Sequence, residues 1–230
     1  IRIRPRLSTH PLVSVIIPTA GRSIRLDGRM TTHVNHLLQS LRDRTVYPRY
    51  EIIVVDNGHL PADATEHLAR HEVRRVSVLA PFSFSANLNH AAARAKGELL
   101  LFLNDDMEVL NEDWLEELVR WASQRDVGAG GGKLYFADGR LLHAGSYLYE
   151  AGPGHPLYGE PADYPVLDPT FGQVRNALAV TGACLMTPRA VFTQLGGFDE
   201  SFALNYNDVD YCLRVVQAGK RVVYTPHAEL

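Results

Sequence analysis

Two adjacent carboxylates, Asp105 and Asp106, follow directly on the apolar run Leu99-Leu100-Leu101-Phe102-Leu103. Carboxylates at the end of a buried strand are costly unless water, a cation or a positive side chain stabilises them. Mg²⁺ and Mn²⁺ take oxygen ligands, and Mg²⁺ is commonly held by one or two carboxylates plus substrate phosphates. The pair alone leaves both a cation site and a solvated acidic turn open; the apolar strand before it favours the cation. Asp208 and Asp210 form a second acidic pair. Residues i and i+2 on a helix do not face the same way, so at most one of them points into a given site. Asp208 can cap a helix start. An ionised carboxylate there can also accept a proton from a hydroxyl.

Other chemistry-bearing residues carry less. Gly130-Gly131-Gly132-Lys133 fails the phosphate-loop spacing, because Val127 stands five before Gly132 and Leu134 replaces the magnesium-holding Ser or Thr. It is expected to be a turn. His143 and His155 are candidate site residues, with a structural or exposed role as the default. No Gly-x-Ser-x-Gly elbow is present, which argues against a serine hydrolase. Cys184 and Cys212 are expected to be reduced and buried.

The elements that must position these residues alternate. Leu12–Ile17 is expected as a strand ended by Pro18. Val34, Leu37, Leu38 and Leu41 then recur at i, i+3, i+4, i+7, which is helical spacing. Glu51–Val55 is nearly continuous in β-branched residues, as suits a parallel strand covered on both faces, and it stops at the turn signal Asp56-Asn57-Gly58. A helix is expected over Asp63–Arg70 and a strand over Val73–Leu79. Ser85 can cap a helix with Leu88, Ala91, Ala92 and Ala95 on one face and Gly97 at its end. Leu99–Leu103 is a fourth strand. Asn111 can cap a helix that buries Leu115, Leu118, Val119 and Ala122.

Four β–α alternations in about 125 residues imply a parallel, doubly wound sheet. Ligands bind outside the carboxyl ends of such strands. Pro18-Thr19, Asp56 and Asp105-Asp106 all fall at such ends. The second half is less regular. Short strands and turns are expected over 127–149, and a Pro- and Gly-rich loop over 150–172, a length often used for lids or binding loops. A strand follows over Ala179–Met186. Pro188 opens a short helix closed by Gly196-Gly197. Asp208–Ala218 is a helix ended by Gly219, and Arg221–Tyr224 a last strand before Pro226.

The chain has 230 residues, 46% of them apolar and 21% charged, with a net charge of −3. This is ordinary globular composition for one α/β domain. No basic excess favours nucleic acid. No run of 18 apolar residues could span a membrane. Two cysteines are too few for a disulfide framework. The N-terminal Ile-Arg-Ile-Arg-Pro-Arg lacks the apolar core of a secretory signal. Residues 1–11 are expected as a linker or tail and 12–230 as a single domain.

The motifs, taken in order, resemble inverting glycosyltransferases of family 2 with the GT-A fold, closest to bacterial enzymes of O-antigen and other surface-polysaccharide assembly. The carriers are Val15-Ile16-Ile17-Pro18-Thr19, Ile53-Val54-Val55-Asp56-Asn57, Phe84-Ser85-Ala86-Asn87-Leu88-Asn89, Ala95-Lys96-Gly97-Glu98 and Leu103-Asn104-Asp105-Asp106. Thr181-Gly182-Ala183-Cys184, Gly196-Gly197-Phe198-Asp199-Glu200 and Asn207-Asp208-Val209-Asp210 complete the set. Each is weak alone; order and spacing make them specific.

The resemblance implies a nucleotide-binding half over about 12–126 and an acceptor half over about 127–230. Pro18, Thr19 and Asp56 would bind the base and ribose of a nucleoside-diphosphate sugar, with UDP or dTDP ahead of other nucleotides. Asn89 would help position that nucleotide. Asp105 and Asp106 match the metal-binding acidic motif, with Asp106 as direct ligand to Mn²⁺ or Mg²⁺. Thr181 and Gly182 would line the donor-sugar and acceptor region, and Asp208 would be the catalytic base. The acceptor would be a glycan or lipid-linked hydroxyl, reached from the cytoplasm or from peripheral association with the inner face of the cell membrane. Three positions depart from the family pattern. Asn207 replaces the acidic residue before the base, and Leu88 stands where many relatives carry a basic residue. A metal-ligand histidine expected after the last strand would lie beyond Leu230, so the chain is expected to be cut from a longer protein. A sugar-phosphate nucleotidylyltransferase is a competing reading, but only Ala20-Gly21-Arg22 answers to its Gly-rich loop. A non-catalytic glycan- or partner-binding module of the same fold is another.

Overall fold

The computed structural model describes residues 4–26, 28–70, 73–78, 81–150, 152–162 and 169–230. The elements run β1 (Val13–Thr19), β2 (Ser23–Leu26), β3 (Arg29–Thr32), α1 (His33–Arg44), β4 (Tyr50–Asp56), α2 (Ala62–Arg70), β5 (Arg74–Ser77), α3 (Phe84–Ala92), β6 (Leu99–Leu103) and α4 (Trp114–Ala122). The second half continues with β7 (Val127–Tyr135), β8 (Leu141–His143), β9 (Tyr147–Tyr149), β10 (Gly152–Gly154), β11 (Arg175–Asn176), β12 (Cys184–Pro188), α5 (Arg189–Gln194), α6 (Asn207–Gln217) and β13 (Arg221–Glu229).

One mixed sheet carries the molecule, in the order β11-β13-β7-β12-β6-β1-β4-β5, with β8 pairing β7. β6, β1, β4 and β5 are mutually parallel, as the β–α alternation requires. β12 runs antiparallel to β6 on one side and to β7 on the other. It therefore joins a parallel half to a second half in which β7 and β13 are parallel to each other.

Successive strand residues point to opposite faces, and both faces are filled. Val13, Val15, Ile17, Val54, Leu99, Leu101 and Leu103 pack with α1 and α4 in one core. Ile16, Ile53, Val55, Leu100 and Phe102 pack with α3, α5 and α6 in the other. Phe102, Phe192, Phe198 and Tyr211 form the aromatic centre of the second core, with the Phe102 and Phe198 ring centroids 4.8 Å apart in edge geometry. Such pairs add about 1 kcal/mol beyond their area burial.

Several local expectations are corrected. The glycine run is no turn: Gly130–Gly132 lies buried inside β7. A Cβ on Gly131 would sit 2.7 Å from Val180 Cβ, and one on Gly132 would collide with the Ala228 carbonyl, so neighbouring backbone fills the space a side chain would need. Strand β1 continues through Pro18 to Thr19, and β13 through Pro226 to Glu229. The cap of α3 is Ser83, which accepts from the Ala86 N–H; Ser85 instead donates to the Phe202 carbonyl and accepts from Asn207 Nδ2. Asn111 does not cap α4. Its amide bonds the Glu229 N–H and the His227 carbonyl, which clamps the end of β13 to the segment before α4. Strand β12 starts at Cys184 rather than Ala179, which forms only a bridge to Ser146. The β2–β3 hairpin was not expected. The N-terminal residues 1–3, Leu79 at the end of the expected third strand, and 151 and 163–168 of the expected long loop lie outside the described residues.

Candidate functional site

The carboxyl ends of β1, β4 and β6 meet at one rim. A cleft of about 230 Å³ opens there, walled by Pro18, Thr19, Val55, Asn57, Phe82, Phe84, Asn87, Asn104, Asp105 and Asp106. Thr19 Oγ1 donates to Asp105 Oδ2 at 2.5 Å and accepts from the Gly21 N–H at 3.0 Å. Gly21 has a positive φ of 67°, and a Cβ there would lie 2.7 Å from the His59 carbonyl oxygen. Glycine is thus required where the loop after β1 crosses the loop after β4. Asp106 is exposed and Asp105 half-buried. Burial, and then the adjacent Asp106 carboxylate, push Asp105 above the usual carboxylate range against the pull of the Thr19 hydrogen bond. A neighbouring cation would relieve that cost. Among the described residues no ready-made cluster of three His, Cys, Asp or Glu side chains exists for a metal.

Asp56 is buried between the cleft residues Val55 and Asn57. Its carboxylate accepts from the Gly58 N–H at 2.8 Å and pairs with Arg75. Asn89 stands elsewhere. Its side chain bridges the Phe198 backbone, accepting from N–H at 2.9 Å and donating to C=O at 2.8 Å, and it lines a different cavity with Gly196, Gly197 and Glu200. Positions 87 and 89 lie about 200° apart around a helix. The buried Asn87 takes the cleft side, so Asn89 faces away.

Asp208 lies on the first turn of α6, behind Tyr206, which adopts the left-handed region at φ 65°. Its Oδ2 accepts from the Gly182 N–H at 2.7 Å and its Oδ1 from the Val209 N–H at 2.8 Å. The helix start and these two donors fix the orientation of the carboxylate. Asp210 turns away to pair with Arg214 at 2.6 Å. The expected opposition of the two carboxylates therefore holds.

Backbone contacts join the two carboxylate stations. The Asn104 N–H, just before Asp105, donates to Ala183 O at 3.0 Å, and the neighbouring Gly182 holds Asp208. Asp105-Asp106 and Asp208 thus flank the same end of the β6–β12 pair. Around Asp208 a second cavity of about 280 Å³ is lined by Ser146, Pro153, Gly154, His155, Asn205, Tyr206 and Val209. The weight of Phe82, Phe84 and Asn87 in the first cleft is not readable from residue type alone; that of Asn87 follows from its register on α3. Both cysteines are buried, and burial pushes their thiols up to about 12, which removes them as nucleophiles at neutral pH.

Residues 14–190 match the family described as glycosyl transferase family 2. Protein y4gI of Sinorhizobium fredii (strain NBRC 101917 / NGR234) is 42% identical over 236 residues, covering 96% of this chain and 24% of that protein. The O-antigen biosynthesis protein RfbC of Myxococcus xanthus is 39% identical, over 100% of this chain and 18% of its own length. The chain thus spans about a quarter or less of these two relatives. An N-acetylglucosaminyl-diphospho-decaprenol L-rhamnosyltransferase of Mycobacterium tuberculosis (strain ATCC 25618 / H37Rv) is 28% identical over 86% of this chain and 71% of its own. In fold, the chain is similar to the mannosyltransferase PcManGT of Pyrobaculum calidifontis, solved with GDP-Man and Mn²⁺, at a TM-score of 0.69 and 18% identity over 99% of this chain and 58% of that one. It is similar to GalNAc-T7, solved with UDP, GalNAc and Mn²⁺, at 0.70 and 16% identity over 95% and 43%. The mixed sheet with its cleft at the β1–β4–β6 rim is the GT-A fold, and the chain belongs to glycosyl transferase family 2.

Proposed function

We propose that this domain is an inverting glycosyltransferase that moves a sugar from a nucleoside diphosphate, UDP or dTDP ahead of others, to a hydroxyl of a glycan or lipid-linked acceptor. The observation that carries this reading is the joint placement of Asp105-Asp106 and Asp208 at one end of the β6–β12 pair. Pro18, Thr19 and the walls of the first cleft would receive the nucleotide, with Asp56 at its base-binding end. Arg75 must then share or release the Asp56 carboxylate. The hard oxygen donors of Asp106 and the strained neighbour Asp105 fit Mn²⁺ or Mg²⁺, which when bound would neutralise the departing diphosphate.

Asp208 is the base in this scheme. The acceptor oxygen attacks the anomeric carbon from the face opposite the diphosphate. Its proton passes to the Asp208 carboxylate, the bond to the diphosphate breaks, and the configuration inverts. Two backbone donors fix the carboxylate but leave it lone pairs for that proton. Such general-base help is worth roughly 10² to 10⁴-fold in rate. Gly182 positions the base through its N–H, and Thr181 and Gly182 would line the donor-sugar and acceptor region beside it. No helix among the described residues is long and apolar enough to cross a membrane; work at the cytoplasmic side, with peripheral contact to the membrane, fits a lipid-linked acceptor.

The test is calorimetry of UDP- and dTDP-sugars with and without Mn²⁺, followed by transfer assays. Asp208→Asn should remove turnover by at least about a hundredfold and leave donor affinity within a few-fold. Donor affinity lost together with turnover would make Asp208 structural, and absence of any metal-dependent nucleotide binding would end the proposal.

A further inference from the structure

His143 and His155 come from β8 and from the turn after β10, and their Nδ1 atoms are 2.7 Å apart. His143 is buried, and its Nε2 faces two backbone donors: the Gly145 N–H at 3.2 Å and the Thr181 N–H at 3.4 Å. A neutral imidazole has one donor and one acceptor nitrogen. With Nε2 accepting, His143 must carry its proton on Nδ1 and donate it to His155 Nδ1. His155 then carries its own proton on Nε2. No described residue takes that N–H, and His155 lines the same cavity as Asp208.

We propose that His155 is an acceptor-binding residue, whose Nε2–H donates to an oxygen of the acceptor sugar beside the attacking hydroxyl, and that His143 is the positioning residue that fixes this tautomer. The inference rests on the reading of Asp208 as base, because it assigns a second polar group of the Asp208 cavity. The surroundings fit the role. Tyr158 stacks on the His155 ring at 6.2 Å, and Tyr206 supplies an exposed ring at the cavity mouth, where sugar faces pack. Asp208 is the only carboxylate among the described lining residues, and no Lys or Arg is among them, so the cavity favours a donor-rich neutral polyol over an anion. Burial, and then the proximity of His155 and Arg175, hold the His143 imidazolium form off, and burial does the same for His155 against the opposing pull of Asp208. Thr181 and Gly182 take part together: consecutive N–H groups hold His143 and Asp208, so the histidine pair and the base are set by one dipeptide.

Two measurements test this. Long-range ¹H–¹⁵N spectra of histidine-labelled protein at pH 7 should show His143 protonated on Nδ1 and His155 on Nε2, assigned with His143→Ala and His155→Ala, and His143→Ala should leave His155 in mixed tautomers. Kinetics with UDP- and dTDP-hexoses, Mn²⁺ and octyl glucoside, octyl galactoside or octyl rhamnoside as acceptor should show that His155→Ala raises the acceptor KM about tenfold, the worth of one directed hydrogen bond. The donor KM should stay within about twofold. His155→Gln, which keeps an N–H near the Nε2 position, should recover most of the loss. A proton on His155 Nδ1, or an unchanged acceptor KM in His155→Ala, overturns the inference. Full transfer by Asp208→Asn with the tautomers intact would instead remove the base and leave the histidine pair standing. Wild-type protein that transfers to no glycoside counts against the proposed function, while the spectrum, needing no substrate, still decides the pair.

Discussion

At the scale of single residues, Asp105 shows a conflict between stability and chemistry. Its carboxyl is raised by burial and by Asp106. A carboxyl raised in the folded state binds protons that the unfolded chain has already released, so folding stability falls as pH rises through the window between the unfolded and folded values. In metal-free protein, Asp105→Asn removes that cost and keeps an acceptor for Thr19. It should raise Tm by about 2 °C at pH 7 and flatten the fall of Tm as pH rises above the ordinary carboxylate range, while weakening Mn²⁺-dependent nucleotide binding at least tenfold. Differential scanning across pH, paired with calorimetry, reads both. Thr19→Val leaves Asp105 without its hydroxyl donor and should lower stability by about 1 to 2 kcal/mol in urea titrations.

Among the elements, β7 makes the sharpest demand. Gly131 has Val180 Cβ and the Cys184 carbonyl within 3 Å of where a Cβ would stand. Gly131→Ala should therefore cost about 1 to 3 kcal/mol by overpacking, seen as a lower urea midpoint with unchanged slope. The same strand shows why the sequence was readable in parts. β6 and β4 were legible because covered parallel strands are continuously apolar, and α1 because its period is unbroken. β7 was misread because glycines signal turns by type, whereas their use here is set by strands elsewhere in the chain. The ends of β1 and β13 were cut short at Pro18 and Pro226 for a similar reason: proline ends a central strand only where its missing N–H was needed. At the site, acidic residues at strand ends were legible from topology. Asn89 lines a different cavity from the one Asn87 faces, and motif order does not resolve which side of α3 faces the cleft. The link between His143 and His155 was invisible, since it depends on a turn folding back onto β8.

For the whole molecule, nucleotide and metal should act as folding ligands. A donor at a hundred times its Kd stabilises by about 2.7 kcal/mol, so UDP or dTDP should raise Tm only with Mn²⁺ present, and EDTA should reverse the gain. A Tm gain of equal size in EDTA would place the nucleotide away from Asp106. The architecture behind this is the inverted strand β12. Because it runs against β6, the segment that enters it arrives at the rim where β6 ends, without a crossing helix. In the proposed scheme, donor and acceptor recognition would therefore meet at a single seam of backbone hydrogen bonds. If so, replacing the segment that enters β12 should alter acceptor choice while leaving nucleotide affinity in place, because the strands that end at the first cleft are untouched.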